Sequence, residues 1–142
     1  MMKRREFVEL AASTVAAAAL PGCASLVATA VVPVDGRIRL VVRNYPRLEQ
    51  AGGYLKLRAA TDGALLYVLA LGGDEYVVVS PICTHLQCTV NIEGERLVCP
   101  CHGSTFDRAG RVLRGPAERP LARFPARLTP EGELVIEYRG AA

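Results

Sequence analysis

The chain has 142 residues, of which 51 % are hydrophobic and 22 % charged; this balance is typical of one globular domain and excludes an intrinsically disordered protein. The formal net charge is +3, and the basic residues are scattered rather than clustered. A nucleic-acid-binding surface would require a basic stripe, so no nucleic acid is expected among the partners. Both histidines and most of the five cysteines lie within one short stretch, at positions 83–102, where we expect the chemistry of the protein to reside.

The first 35 residues have the composition of an export signal. The string KRREFVEL at 3–10 begins with three basic residues, and the chain from Leu10 to Val34 carries no charged residue. The string resembles a twin-arginine signal, the type that exports folded proteins. Residues 1–35 are therefore expected to act as export signal, membrane anchor and tether. The domain is expected to work in the periplasm or on the outer face of the cytoplasmic membrane.

The sequence leaves the processing of this signal open. The string LPGC at 20–23 resembles a lipoprotein cleavage box, in which Cys23 becomes the lipidated first residue. The string ATA at 28–30 also fits an ordinary signal peptidase site. A third possibility is an uncleaved membrane anchor, since the segment is long enough to span a bilayer. A fourth is that Cys23 is a plain unpaired thiol. If Cys23 is lipidated, residues 24–35 are expected to form a flexible tether.

The remainder of the chain, residues 36–142, has the pattern of an all-β domain. Short apolar runs rich in Val, Ile and Tyr alternate with Gly-containing turn signals, and no long helical period occurs. Residues 89–99 predict a hairpin with a Glu-Gly turn. We expect a small antiparallel β-sandwich. The strand candidates are Ile38–Val42, Tyr54–Leu57, Leu65–Leu69, Tyr76–Val79, Leu97–Cys99 and Leu134–Tyr138.

Two short strings contain the candidate metal ligands. They are CTHLQC at 83–88 and CPCHGS at 99–104, and each offers two Cys and one His. Thiolates and imidazoles on two facing loops suit iron or zinc. Three interpretations follow from the residues: an iron–sulfur centre, a zinc site with two Cys and two His and no redox role, or a pair of disulfides with incidental histidines.

Together, the two strings resemble the paired boxes of the Rieske iron–sulfur proteins. The resemblance implies a Rieske-type sandwich with a two-loop cluster-binding subdomain and a [2Fe–2S] cluster. Carried over position by position, Cys83 and Cys99 would bind one iron, and His85 and His102 the other. Two neutral His ligands make the cluster easier to reduce, which places such centres at about −150 to +300 mV.

The resemblance also implies roles for the neighbouring residues. The other cysteines of the two strings, Cys88 and Cys101, are expected to form a disulfide that ties the two loops together, a pairing that suits an exported protein. Ser104 matches the position whose hydroxyl donates to a bridging sulfide. Phe106 stands where many members have a Tyr that donates to a ligand sulfur. Pro116 lies in a Gly-Pro-Ala string that resembles the loop covering the cluster in the family.

The extra cysteine pair marks the branch of the family found in cytochrome bc complexes and arsenite oxidase. The resemblance thus implies one-electron transfer as the quinol-oxidising subunit of a cytochrome bc-type complex, with cytochrome b and a c-type cytochrome as partners. The alternatives are a subunit of another periplasmic oxidoreductase, a stand-alone lipid-anchored protein, and a non-redox zinc domain. Leu86, between His85 and Cys88, is expected to contact the partner, and Gln87 replaces a Gly common in the family. No catalytic residue is expected beyond the ligands, and the chain is expected to be an electron-transfer subunit of an oxidoreductase complex rather than a catalyst alone.

Overall fold

The computed structural model describes residues 27–141, which form short β-strands and two single-turn 3-10 helices, Val42–Asn44 and Pro46–Glu49. In this part of the chain no helix has the length and apolarity needed to cross a bilayer. The strands are β1 Thr29–Val31, β2 Arg37–Val41, β3 Tyr54–Ala59, β4 Leu65–Gly72, β5 Glu75–Val79, β6 Asn91–Glu93, β7 Arg96–Val98, β8 Thr105–Asp107, β9 Val112–Arg114, β10 Arg123–Phe124, β11 Ala126–Leu128 and β12 Glu133–Glu137.

The strands form three sheets, which belong to two parts of the domain. A five-stranded sheet, β1-β3-β4-β5-β10, and a three-stranded sheet, β11-β12-β2, share one core of aliphatic side chains and are here called the base. The four-stranded sheet β6-β7-β8-β9 is inserted in the chain between β5 and β10 and is here called the loop-bearing sheet. The predicted all-β sandwich with a separate loop subdomain is confirmed, and the predicted hairpin is β6–β7, with Glu93 paired to Arg96.

Strand β1 departs from the sequence-based expectations. It runs parallel to β3, with Thr29 paired to Leu57 and Val31 to Ala59, whereas the other strand pairs are antiparallel. The tether predicted for residues 24–35 is therefore wrong for its second half, and the fold includes residues upstream of position 36. The uncharged run does not distinguish the two structures, because an apolar edge strand and an apolar linker have the same composition. The twin-arginine string and Cys23 lie outside the described residues.

A second apolar cluster joins the base to the loop-bearing sheet. It contains Leu69 and Val79 from the base and Leu97 from the other side, together with further side chains described below. Within it the Tyr67 hydroxyl donates to the Val90 carbonyl at 3.0 Å. Burial, and secondarily the nearby Tyr54, raises the pKa of Tyr67, which keeps this donor protonated. The base therefore supports the loop-bearing sheet through packing and a buried hydrogen bond.

A Tyr–Asp contact closes the base at its C-terminal end. The Tyr138 hydroxyl donates to both carboxylate oxygens of Asp62, at 2.8 and 2.7 Å, and Asp62 also accepts from the N–H groups of Ala64 and Ala141. The bond from Tyr138, followed by the bond from Ala64, holds the pKa of Asp62 below its usual value. Burial, followed by the bond to Asp62, raises the pKa of Tyr138 to about 12.

This contact predicts a loss of stability at both ends of the pH scale. The pKa of Asp62 is lower in the folded chain, so its contribution is present above pH ~4 and is lost as the pH falls through the folded pKa. The pKa of Tyr138 is higher in the folded chain, so its contribution is lost as the pH rises from about 10 through about 12. Urea unfolding from pH 3 to 11 should show both limbs, and Tyr138→Phe should flatten them. The exposed-carboxylate control, Glu131→Gln, should keep the parent profile, and an unchanged profile in Tyr138→Phe would contradict this account.

Candidate metal centre

The two strings fold into loops with the same hydrogen-bond pattern. In the first loop, the Cys83 N–H donates to the Cys88 carbonyl, five residues later, at 2.7 Å. The Cys83 carbonyl accepts from the Gln87 N–H, four residues later, at 2.9 Å. Cys99 makes the same two bonds in the second loop, at 2.8 and 3.0 Å. The first loop follows β5 and the second connects β7 to β8. The equivalent loops present their leading cysteines in the same way.

The structure divides the cysteines into two kinds. Cys88 and Cys101 form a disulfide with an S–S distance of 2.05 Å, as the resemblance implied. Cys83 and Cys99 are free thiols, 0 % and 3 % exposed, so the interpretation as two disulfides is wrong. The Cys99 sulfur lies within 4.8 Å of both disulfide sulfurs, which have no thiolate to offer a metal. Among the described residues, Cys83 and Cys99 are thus the cysteines able to bind one.

The histidines complete an asymmetric donor set. The rings of His85 and His102 meet edge to face with centroids 5.1 Å apart, and both residues are exposed. The thiols of Cys83 and Cys99 lie in the apolar cluster between the sheets. Two buried thiols and two exposed imidazoles on paired loops suit a [2Fe–2S] cluster with an inner and an outer iron.

A third segment, after β9, covers both loops. Ala117 donates its backbone N–H to the Ser104 Oγ at 2.9 Å, and the Thr84 hydroxyl donates to the Arg119 carbonyl at 2.6 Å. Pro116, exposed, directly precedes Ala117. Ser104 is fully buried, and accepting from Ala117 leaves its hydroxyl proton for another acceptor. Sequence reasoning missed Thr84, because a Thr between two candidate ligands has no pattern of its own.

Two further predicted residues occupy opposite environments. Phe106, in β8, is fully buried in the same apolar cluster as the two thiols. Leu86, next to His85, is 61 % exposed. A groove of about 560 Å³ runs beside this loop, lined in part by Ile82, Thr84, His85, Gln87 and Arg119. The exposed imidazole and Leu86 are therefore open to contact from another molecule.

Gln87 occupies a backbone conformation that favours glycine. Its φ is +64°, and the equivalent Gly103 has a φ of +80°. A side chain in the left-handed region is strained, so we expect Gln87→Gly to raise the free energy of unfolding by about 0.5–1 kcal/mol. The matched control is Gln50→Gly, at a φ of −113°, which should lower stability. Urea unfolding checks both variants, and a Gln87→Gly chain no more stable than the parent would contradict the assignment of strain.

The described residues form an all-β domain with two free thiols and two imidazoles on a pair of disulfide-linked loops. These features are those of the small iron–sulfur proteins. The family model described as the Rieske [2Fe-2S] domain matches residues 41–125. The chain belongs to this family, and a [2Fe–2S] cluster is its cofactor. Family membership also decides against the zinc-site interpretation.

The chain is similar to curated iron–sulfur subunits of cytochrome b6-f complexes. The cytochrome b6-f complex iron-sulfur subunit of Synechococcus elongatus is 43 % identical over 60 residues, which cover 41 % of this chain and 33 % of the relative. That of Synechococcus sp. (strain WH7803) is 39 % identical over 99 residues, covering 61 % and 54 %. The chain thus spans about a third to a half of the length of these curated relatives.

Solved structures show the same fold. The cyanobacterial plasma membrane Rieske protein PetC3 from Synechocystis PCC 6803 is 32 % identical with a TM-score of 0.52, and the match covers 59 % of this chain and 85 % of that chain. A chain of the hyperthermophilic respiratory Complex III is 25 % identical with a TM-score of 0.52, covering 68 % and 71 %. Several of these similar proteins are therefore named for membrane complexes or a membrane.

Proposed function

We propose that this chain transfers single electrons through its [2Fe–2S] cluster, with Cys83 and Cys99 on one iron and His85 and His102 on the other. The observation that carries the proposal is that the same two loops carry two buried free thiols and two exposed imidazoles, whose rings contact each other. When bound, the cluster supplies reversible one-electron chemistry at about −150 to +300 mV. The chain's own residues exclude water from the thiol side and leave the imidazole side open for a partner and for proton exchange.

The leading role is the quinol-oxidising iron–sulfur subunit of a cytochrome bc-type complex. Relatives named as cytochrome b6-f subunits and a similar chain in a Complex III structure support it. Quinol oxidation releases a proton with each electron, and the exposed rings of His85 and His102 are placed to accept it. Leu86 then provides an apolar contact for the partner. In this role the domain lies outside the cytoplasm, anchored to the membrane, and meets cytochrome b and a c-type cytochrome.

Strand β1 favours a second role, as an electron-transfer subunit of another periplasmic oxidoreductase or as a lipid-anchored protein. Because Thr29–Val31 pair with β3, only positions 24–28 separate Cys23 from the folded domain. Fully extended, this stretch reaches about 18 Å at most. A head attached so closely at Cys23 would suit a partner that comes to it, as in an arsenite oxidase-type complex.

The test is electron paramagnetic resonance of the dithionite-reduced full chain, with iron, sulfide and zinc analysis. An iron–sulfide protein with a Rieske signal supports electron transfer, and a colourless zinc protein contradicts it. A redox titration against pH then separates the two roles. A midpoint potential that falls as the pH rises, together with reduction by a short-chain quinol, supports the bc-type role. A lack of both favours the second role.

Hydrogen bonds to the cluster should set its potential. A donor to sulfur favours the more negative, reduced state, so Ser104→Ala should lower the midpoint potential. Phe106→Tyr should raise the midpoint potential, because the added hydroxyl would lie among the buried apolar side chains that surround both thiols. A bond of about 1 kcal/mol corresponds to roughly 40 mV for one electron. Protein-film voltammetry checks both variants, with Thr61→Ala as a remote hydroxyl control. Opposite signs, or shifts no larger than that control, would contradict the prediction.

A further inference from the structure

Arg108 is a buried charged residue with no part in the proposed metal centre. It directly follows β8 and is 6 % exposed. Its Nη1 donates to the Gly94 carbonyl at 3.0 Å, and its Nη2 donates to the Gly53 carbonyl at 2.6 Å. Gly94 lies in the β6–β7 turn, whereas Gly53 directly precedes β3 in the base. The guanidinium therefore joins the loop-bearing sheet to the base.

The anchor point in the base is rigid. The Gly53 carbonyl also accepts from the Ala70 N–H at 2.9 Å, and the Gly53 N–H donates to the Gln50 carbonyl at 3.0 Å. A Cβ at position 53 would overlap the Arg47 carbonyl oxygen. The packing thus requires glycine here and holds its carbonyl oxygen in place for Arg108.

The charge of Arg108 has no carboxylate partner among residues 27–141. The ion pairs of that part of the chain are Arg37–Glu137, Arg39–Glu133 and Arg111–Asp107. The Nε of Arg108 is buried and makes no hydrogen bond there. Burying a cation with only carbonyl partners is costly, and buried charges are ordinarily paired. A negative charge that forms nearby during the protein's redox cycle would explain why this cation is buried without a carboxylate partner.

Reduction of the centre provides such a charge. A reduced cluster is more negative by one electron than an oxidised one. Strand β8 starts directly after Ser104 and ends directly before Arg108. Because a β-strand rises by about 3.3 Å per residue, the α-carbons of Ser104 and Arg108 lie about 13 Å apart. Charges in a protein interior interact across such distances with little screening by salt.

We propose that Arg108 is a positioning residue that holds the loop-bearing sheet on the base and whose buried charge raises the midpoint potential of the cluster. The proposal rests on the proposed function, electron transfer through a bound [2Fe–2S] cluster. Arg108 would raise the potential through its charge, whereas Ser104 acts through a hydrogen bond.

The test compares three variants of the iron-loaded full chain by protein-film voltammetry at low and high salt. Arg108→Met removes the charge and both hydrogen bonds, Arg108→Lys keeps the charge, and Arg111→Met removes a nearby exposed charge as the control. We expect a lower midpoint potential in Arg108→Met at both salt concentrations. The midpoint potential of Arg108→Lys should stay near that of the parent. The midpoint potential of Arg111→Met should equal that of the parent at high salt. Hydrogen exchange should quicken in strands β6–β9 of Arg108→Met and stay unchanged in β3 and β4.

Several outcomes would overturn the proposal. One is an Arg108→Met chain that holds its cluster at the parent potential. Another is an equal fall in Arg108→Met and Arg108→Lys, since geometry rather than charge would then set the potential. If Arg108→Met does not load iron, Arg108→Gln is judged by the same criteria. A parent chain without iron, sulfide or a reduced-state signal contradicts the proposed function itself, and iron analysis before voltammetry separates the two failures.

Discussion

A chain carrying Cys99→Ser is expected to lose its [2Fe–2S] cluster and to purify without detectable iron. Iron–sulfur clusters select thiolates, and a Ser hydroxyl is a poor replacement. Cys99 is buried, so the substituted hydroxyl would also lack water, at a cost of about 1–3 kcal/mol if it finds no partner. Iron and sulfide analysis with electron paramagnetic resonance of the reduced protein measures the loss. The same result is expected for Cys83→Ser.

The matched control is the double variant Cys88→Ser/Cys101→Ser. It also replaces sulfur by oxygen on the same two loops, but it keeps the four proposed donors. Freshly prepared, it should bind iron and show the reduced-state signal of the parent. If Cys99→Ser retains a parent-like spectrum, or if the double variant alone abolishes iron binding, the proposed ligand set is incorrect.

The same double variant is expected to lose about 3 kcal/mol of unfolding free energy. The disulfide joins positions 13 apart, and a loop of this size is stabilised by about that amount in the chain-entropy model. Because the bond connects the two ligand loops, its removal should also let them separate and shorten the lifetime of the bound cluster. Urea unfolding of the iron-free chains measures the first effect, and bleaching of the cluster absorbance with time measures the second.

Replacing Cys by Ser removes two sulfur atoms as well as the disulfide bond, so a control that breaks only the bond is required. The parent treated with a reductant should match the double variant in both measurements, and reoxidation should restore the parent values. A double variant as stable as the parent, with an equally long-lived cluster, would show that packing alone holds the loops together.

Much of the fold could be predicted from local pattern. The β6–β7 hairpin follows from its Glu-Gly turn, and strands β3 to β5 begin or end within a few residues of their predicted limits. Strands β8 to β11 have two or three residues each, too few for a period to be visible. Strand β1 could not be predicted, because its partner, β3, lies far along the chain and a long-range pairing leaves no local pattern.

Residues near one another in the chain specify the kinds of donor atom, their order in the two strings and the turns around them, because ligand chemistry and tight turns are local properties. Which side chains are buried and which are open to solvent depends instead on the packing of the strands. This packing buries Cys83 and Cys99, exposes His85 and His102, and brings the Arg108 guanidinium to the Gly53 carbonyl. Burial and contact of this kind arise when distant strands pack together, and a linear pattern carries no record of that packing.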